Sequence, residues 1–181
     1  MQLSREHHPF ELLEQMDQLC QRMADAFPTD SKANEYWKGI GFVVGGQTVV
    51  TPWNEVAEIQ TLPSFTRVPG AKDWVKGVAN VRGSLLPVMD LGSFIGYRQK
   101  GLRKQRLLVI QHDGIYSGLI VDEILGAMSF EQFEQMEDRP EVDDNLKPYI
   151  TGGFTKQDTD WPVFSLHAVA ESPAFRKVSR Q

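Results

Sequence analysis

Residues 106–121 read Arg106-Leu-Leu-Val-Ile-Gln-His112, Asp113-Gly114, Ile115-Tyr-Ser-Gly-Leu-Ile-Val121. Two apolar, β-branched-rich runs flank a two-residue Asp-Gly step, the pair that supplies the positive φ angles of a type I′ turn. This is the clearest β-hairpin in the chain, and the same pattern recurs on either side of it. Upstream, Ile40–Val44 and Gln47–Val50 flank Gly45-Gly46, and Val78–Arg82 and Ser84–Met89 flank Gly83. Downstream come Ala127–Phe130, Tyr149–Thr155 and Trp161–Leu166. Many short strands at close spacing, with no long helix between them, predict an all-β fold of antiparallel sheets closed as barrels or stacked as a sandwich. Pro87 cannot donate to a ladder, so its strand is expected at an edge or with a bulge.

The first forty residues differ. Between Phe10 and Phe27, the side chains of Leu12, Leu13, Met16, Leu19, Cys20, Met23 and Phe27 fall on one stripe at helical period, with Pro28 ending the run. An amphipathic helix is expected there. Its stripe has two readings: packing on the protein's own core, or binding a partner or a second copy. Cys20 lies within the stripe, where a packed, inert thiol is expected.

Length and composition set the outer limits. The chain has 181 residues, 19 basic and 24 acidic side chains, a net charge of −5 and one cysteine. That is about one domain's worth of chain with an appendage. An internal disulfide is impossible and a multi-cysteine zinc site is excluded. The net acidity argues against a nucleic-acid partner. Neither a secretory leader nor an apolar run of spanning length is visible, so no direct membrane insertion and a cytoplasmic location are expected. Two charged segments break the strand series. Residues 98–106 carry five basic side chains and no acid, and 131–144 carry seven acids against Arg139 alone. Both read as solvated loops, or as surfaces that steer an oppositely charged partner.

Groups that could carry catalysis are sparse. His7 and His8 lie near the amino terminus, His112 at a strand end and His167 after the last strand, and all four are expected to be structural. No His-Glu-x-x-His, Gly-x-Ser-x-Gly or phosphate-loop motif occurs. Gly39, Gly41 and Gly45 imitate a dinucleotide loop with the third glycine one residue too far and no βαβ unit around them. Asp143-Asp144-Asn145 lacks the glycine and distal glutamate of a calcium loop. No enzyme, no cofactor and no metal is expected.

Residues 68–91 decide the family. Within them, Gly77-Val78-x-Asn80-x-Arg82-Gly83-x-x-x-Pro87-Val88-x-Asp90-Leu91 resembles the CheW family of chemotaxis adaptors, a specific match because many positions must agree together. Glu55-Val-Ala-Glu-Ile59, Gly118-Leu-Ile-Val-Asp-Glu-Ile124 and Tyr149-Ile-Thr-Gly152 extend it in order along residues 39–170. The run Trp74–Gly83, residues 102–106 and the helical extension narrow it to the CheW-like adaptors of type IV pilus twitching-motility systems.

The resemblance implies two five-stranded, SH3-like barrels sharing a hydrophobic junction, with an extension at 1–38, the CheW-like domain at 39–170 and a tail at 171–181. It implies a non-enzymatic scaffold coupling the cytoplasmic tip of a methyl-accepting chemoreceptor to the regulatory domain of a CheA-type histidine kinase, recruited to membrane-associated arrays. The output would be type IV pilus control, the alternative being a flagellar chemotaxis CheW. Val56, Glu58, Ile59 and Arg82 match positions around the family's receptor-binding groove. Apolar side chains there can seat a helical hairpin, and Arg82 can bind a carboxylate, although it can equally brace its own hairpin. Asn80 is expected to fix the local turn, and Asp90 and Asp122 to bond nearby backbone. The last strand, Val163-Phe-Ser-Leu-His167, departs from the family's usual pattern, so a short terminal helix is expected.

Overall fold

A computed structural model describes residues 36–97 and 104–178. The amphipathic stretch 10–27, Cys20 included, and most of the basic segment 98–106 lie outside the described residues. The strands run β1 Tyr36–Val44, β2 Gln47–Pro52, β3 Glu58–Thr61, β4 Phe65–Thr66, β5 Val75–Val81 and β6 Ser84–Asp90. After a one-turn helix α1 (Leu91–Phe94) follow β7 Arg106–His112, β8 Ile115–Val121, β9 Glu123–Glu131, β10 Ile150–Lys156 and β11 Thr159–Phe164. Two short helices, α2 (Leu166–Glu171) and α3 (Pro173–Arg176), end the described chain. The terminal helical segment is therefore short.

Turn chemistry builds the hairpins. Gly45 and Gly46 have φ of 61° and 83°, Arg82 and Gly83 of 51° and 84°, and Asp113 and Gly114 of 46° and 74°. Both middle residues are left-handed each time, as a type I′ turn requires. The β10–β11 turn does the same without any glycine, through Gln157 at 52° and Asp158 at 58°.

The strands form two sheets, β10-β11-β2-β1-β9 and β3-β7-β8-β6-β5-β4, each curled like an SH3-like barrel; the second counts six strands with the two-residue β4. In the first, Lys156 Nζ of β10 donates to the Ser129 carbonyl of β9 at 2.6 Å, and Gln135 bridges Phe154, so the two outer strands meet. Pro87 corrects an expectation: β6 is an interior strand, between β8 and β5, and the ladder irregularity lies on β5 between Val75 and Gly77. The proline is tolerated because the parallel ladder to β8 begins only at Val88, and the Pro87 carbonyl accepts from Ser117 Oγ at 3.2 Å.

Side-chain alternation divides the core into three. On β7, Leu108 and Ile110 enter a junction shared by both sheets, while Leu107 and Val109 fill the second barrel. The junction also takes Phe42, Val44 and Val49 from the first sheet, Leu119 and Val121 from β8, and Phe164, Leu166, Val169 and Phe175 from the chain's end. Val50, Phe130, Phe154 and Val163 fill the first barrel. A strand buried on both faces reads as a continuous apolar run, which is why 106–121 alternates so little in the sequence. Phe175 stacks on Trp74 at 5.5 Å and meets Phe94 edge-on at 5.2 Å, anchoring α3 to the junction.

Asn80, Asp90 and Asp122 each hold backbone, as expected. Asp90 accepts from Ser93 N at 2.9 Å, capping α1, and pairs with Lys76 at 3.0 Å. Asp122 accepts from the Gly46 N–H at 3.3 Å, and Asn80 from the Gly83 N–H at 3.0 Å.

Candidate functional site

β3 is an outer strand, paired on one side only, with β7. Its alternation sends Glu58 and Ile59 to opposite faces. Glu58 turns toward the tip of the β5–β6 hairpin, where Arg82 occupies the first left-handed position of the turn. Arg82 Nη2 donates to Glu58 Oε1 at 2.6 Å, with the arginine side chain 77% and the glutamate 29% exposed. A groove of about 410 Å³ runs along this seam, lined by Glu58, Gln60, Thr61, Pro63, Asn80, Val81 and Arg82. An ion pair this exposed contributes roughly 0–1 kcal/mol, so its consequence is where it holds the hairpin tip rather than how stable it makes the fold.

The four residues singled out in the sequence therefore do not converge. Glu58 and Arg82 meet. Ile59 is exposed on the other face of β3, and Val56 packs half-buried against the junction.

The sequence reading missed a second, more apolar groove. The 3₁₀ turn Trp53–Glu55 follows β2 and places Trp53, 56% exposed, beside Lys38 of β1 and Ala127, Met128 and Ser129 of β9. The cavity there measures about 470 Å³. Gly41 makes the space for one wall, since a Cβ at that position would lie 2.7 Å from Met128 Sδ. A tryptophan flanked by Pro52 and Asn54 at the end of a strand is the signal that could have been read. Three residues after it, Val56 returns to the junction, so one short segment links the groove to the shared core.

The acidic segment is more than a solvated loop. Glu131 and Glu134 form a capping box, and Asp143 accepts from Tyr97 Oη at 2.7 Å and from Gln47 Nε2 at 3.2 Å. Pro140 and Leu146 are buried. Burial, then the hydrogen bond to Asp143, pushes the Tyr97 phenol up to about 12. The Arg176 guanidinium beside Asp113 holds that carboxyl below the usual range, and Lys147 does the same for Asp144. Among the described residues no three His, Cys, Asp or Glu side chains gather as metal ligands, and no helix is long and apolar enough to cross a membrane.

The CheW-like domain matches residues 38–174. The chain belongs to the CheW family. It is 45% identical over 172 residues to protein PilI of Pseudomonas aeruginosa, covering 94% of this chain and 96% of that one. A 56-residue stretch, 30% of this chain, is 41% identical to chemotaxis protein CheA of Cereibacter sphaeroides, of which it covers 8%. In fold it matches the crystal structure of the scaffolding protein TtCheW from Thermoanaerobacter tengcongensis at a TM-score of 0.66, with 23% identity, over 76% of this chain and 94% of that one. Membership in the CheW family carries the coarse functional reading with it, a CheW-like scaffold from a non-enzymatic family.

Proposed function

We propose that this CheW-family chain couples the cytoplasmic tip of a methyl-accepting chemoreceptor to the regulatory domain of a CheA-type histidine kinase, in a chemosensory pathway controlling type IV pili. The pilus assignment rests on likeness to PilI along nearly the whole chain. The kinase assignment rests on family membership and on the stretch shared with a CheA.

The receptor assignment is carried by the apolar groove. A helical hairpin presents apolar side chains at helical spacing, and an exposed tryptophan beside a cavity walled by Ala127 and Met128 offers them an anchor. Val56 stands behind that anchor against the junction, while the Glu58–Arg82 pair and Ile59 form a polar and an apolar flank on β3. In this reading Trp53 is the centre of the docking surface with Val56 behind it, and the Glu58–Arg82 groove along β3 is a second, separate contact.

The test is binding of a purified receptor cytoplasmic fragment by calorimetry. Trp53→Ala is expected to weaken it by about thirtyfold, the loss typical of a central aromatic anchor. Full affinity in that variant would sink the receptor assignment. The alternative, a flagellar chemotaxis adaptor, is separated by offering the chain a pilus-system kinase and a flagellar CheA and measuring which it binds.

A further inference from the structure

The 3₁₀ turn that carries Trp53 to the groove also carries Glu55 the other way, into the C-terminal helices. The two Glu55 carboxylate oxygens accept from Ser165 Oγ at 3.0 and 3.2 Å, and Oε2 accepts from the His167 N–H at 3.0 Å. His167 Nδ1 stands 4.0 Å from Glu55 Oε1, outside hydrogen-bond range. The His167 ring lies flat on His112, centroids 3.7 Å apart and planes 11° from parallel. His112 Nε2 in turn meets Glu171 Oε1 at 2.8 Å. Carboxylate, imidazole, imidazole and carboxylate thus form one row across three elements: the turn that carries Trp53, α2 and the end of β7.

The charges around this row are otherwise committed. Asp113, at the β7–β8 turn, pairs with Arg176 of α3 at 2.8 Å. Lys147, on the 3₁₀ turn Lys147–Tyr149 packed against α2, pairs with Asp144. The stack therefore has Glu55 and Glu171 at its two ends, with Asp113, shared with Arg176, also close enough to act on His112. A proton arriving on His167 gives Glu55 a charged donor, which favours closing the 4.0 Å gap. A proton on His112 strengthens its bond to Glu171 in the same way. With the rings 3.7 Å apart the first proton opposes a second, so the stack takes up one, and on His167 it draws the Trp53 turn onto α2.

We propose that the His112–His167 stack is a proton-sensitive clasp that fixes the turn bearing Trp53, so that the groove holds a receptor helical tip more tightly as pH falls through the imidazole range. The inference rests on the reading of that groove as the receptor's docking surface. A turn pinned before binding has less freedom to lose on binding, and affinity rises by that difference. Imidazole is the side chain suited to the task, since its charge changes near neutrality.

The test uses the full chain with two readouts. First, the Trp53 indole N–H resonance, assigned through Trp53→Phe, is followed by NMR from about pH 8 to about pH 5. It should move together with the His112 and His167 ring signals in the wild type. It should stay in place in the His112→Gln/His167→Gln double variant and in Glu55→Gln. The latter keeps an oxygen for Ser165 and the His167 N–H but removes the charge, so the fold is retained. Second, calorimetry with a purified receptor cytoplasmic fragment should show about fivefold tighter binding near pH 6 than near pH 8 in the wild type, and no such difference in Glu55→Gln. A stationary Trp53 signal in the wild type, or an equal response in Glu55→Gln, overturns the clasp. Unchanged binding in Trp53→Ala at both pH values overturns the docking surface itself. Binding lost in Trp53→Ala while the pH response survives in Glu55→Gln overturns the clasp alone.

Discussion

Arg82 Nη2 stands 2.6 Å from Glu58 Oε1 and closes the seam between the tip of the β5–β6 hairpin and the outer strand β3 of the same sheet. The arginine holds this position from a left-handed backbone, φ 51°, where an L-residue is strained by about 1–2 kcal/mol. Asn80 fastens the same turn through the Gly83 N–H at 3.0 Å. Strain and bracing together aim one guanidinium at one carboxylate, with most of the arginine still open to solvent.

Because the pair is exposed, reversing it should test binding without unfolding the chain. Arg82→Glu sets two carboxylates against each other and should cost about 1 kcal/mol or less in denaturant unfolding, while weakening association with a receptor cytoplasmic fragment. Glu58→Arg combined with Arg82→Glu should recover much of the stability loss. Wild-type affinity in the single variant would remove Arg82 from the receptor surface. A loss beyond about 3 kcal/mol would make the bridge a structural element instead.

The β10–β11 turn allows a stabilising change. Gln157 and Asp158 hold φ of 52° and 58° with no glycine to ease them. Asp158→Gly should raise stability by up to about 1 kcal/mol, read as a higher denaturant midpoint at an unchanged slope, because relief of the left-handed strain outweighs the added freedom of the unfolded chain. A lower midpoint would mean that the aspartate makes up for its strain in some other way.

Legibility in the sequence followed physical range. The hairpin at 106–121 was readable because both halves of its signal, apolar runs and an Asp-Gly turn, are local. The turn at 157–158 was hidden by its lack of glycine, and β4, two residues long, has no period to detect. Pro87 misled because its position in the sheet depends on where a parallel partner 30 residues away begins to pair. The same holds for the candidate site. Glu58 and Arg82 were each identified through the family resemblance, but their contact spans 24 residues and follows from strand order. Trp53 is not legible as a site in the sequence because exposure is a property of the packed surface, and nothing in its neighbours' sequence states that β9 will wall a groove beside it.

Alternation on β7 makes a paired test of how the two barrels share their core. Leu108 belongs to the junction and Leu107 to the second barrel, and both are fully buried. Each →Ala change should cost about 2–5 kcal/mol. Leu108→Ala should lower one cooperative thermal transition, since its neighbours come from both sheets. A split into two transitions after Leu107→Ala, which leaves the junction intact, would show that the junction is not what couples the barrels.

Tyr97 gives the fold an alkaline limit that can be predicted with its sign. Its phenol is pushed up from 10.0 to about 12, first by burial and then by the hydrogen bond it donates to Asp143. The folded state therefore holds this proton more tightly than the unfolded chain does. The contribution to stability is complete below about pH 10 and is lost as pH rises toward 12, where the folded state must also give the proton up. Ultraviolet titration of the four tyrosines should show one phenol ionising late, and Tyr97→Phe should remove that step. The variant should also lose the part of the alkaline decline in unfolding free energy that lies between those two pH values. If the late step persists in Tyr97→Phe, another tyrosine carries it, and the link between α1's end and the acidic segment is not what resists alkali.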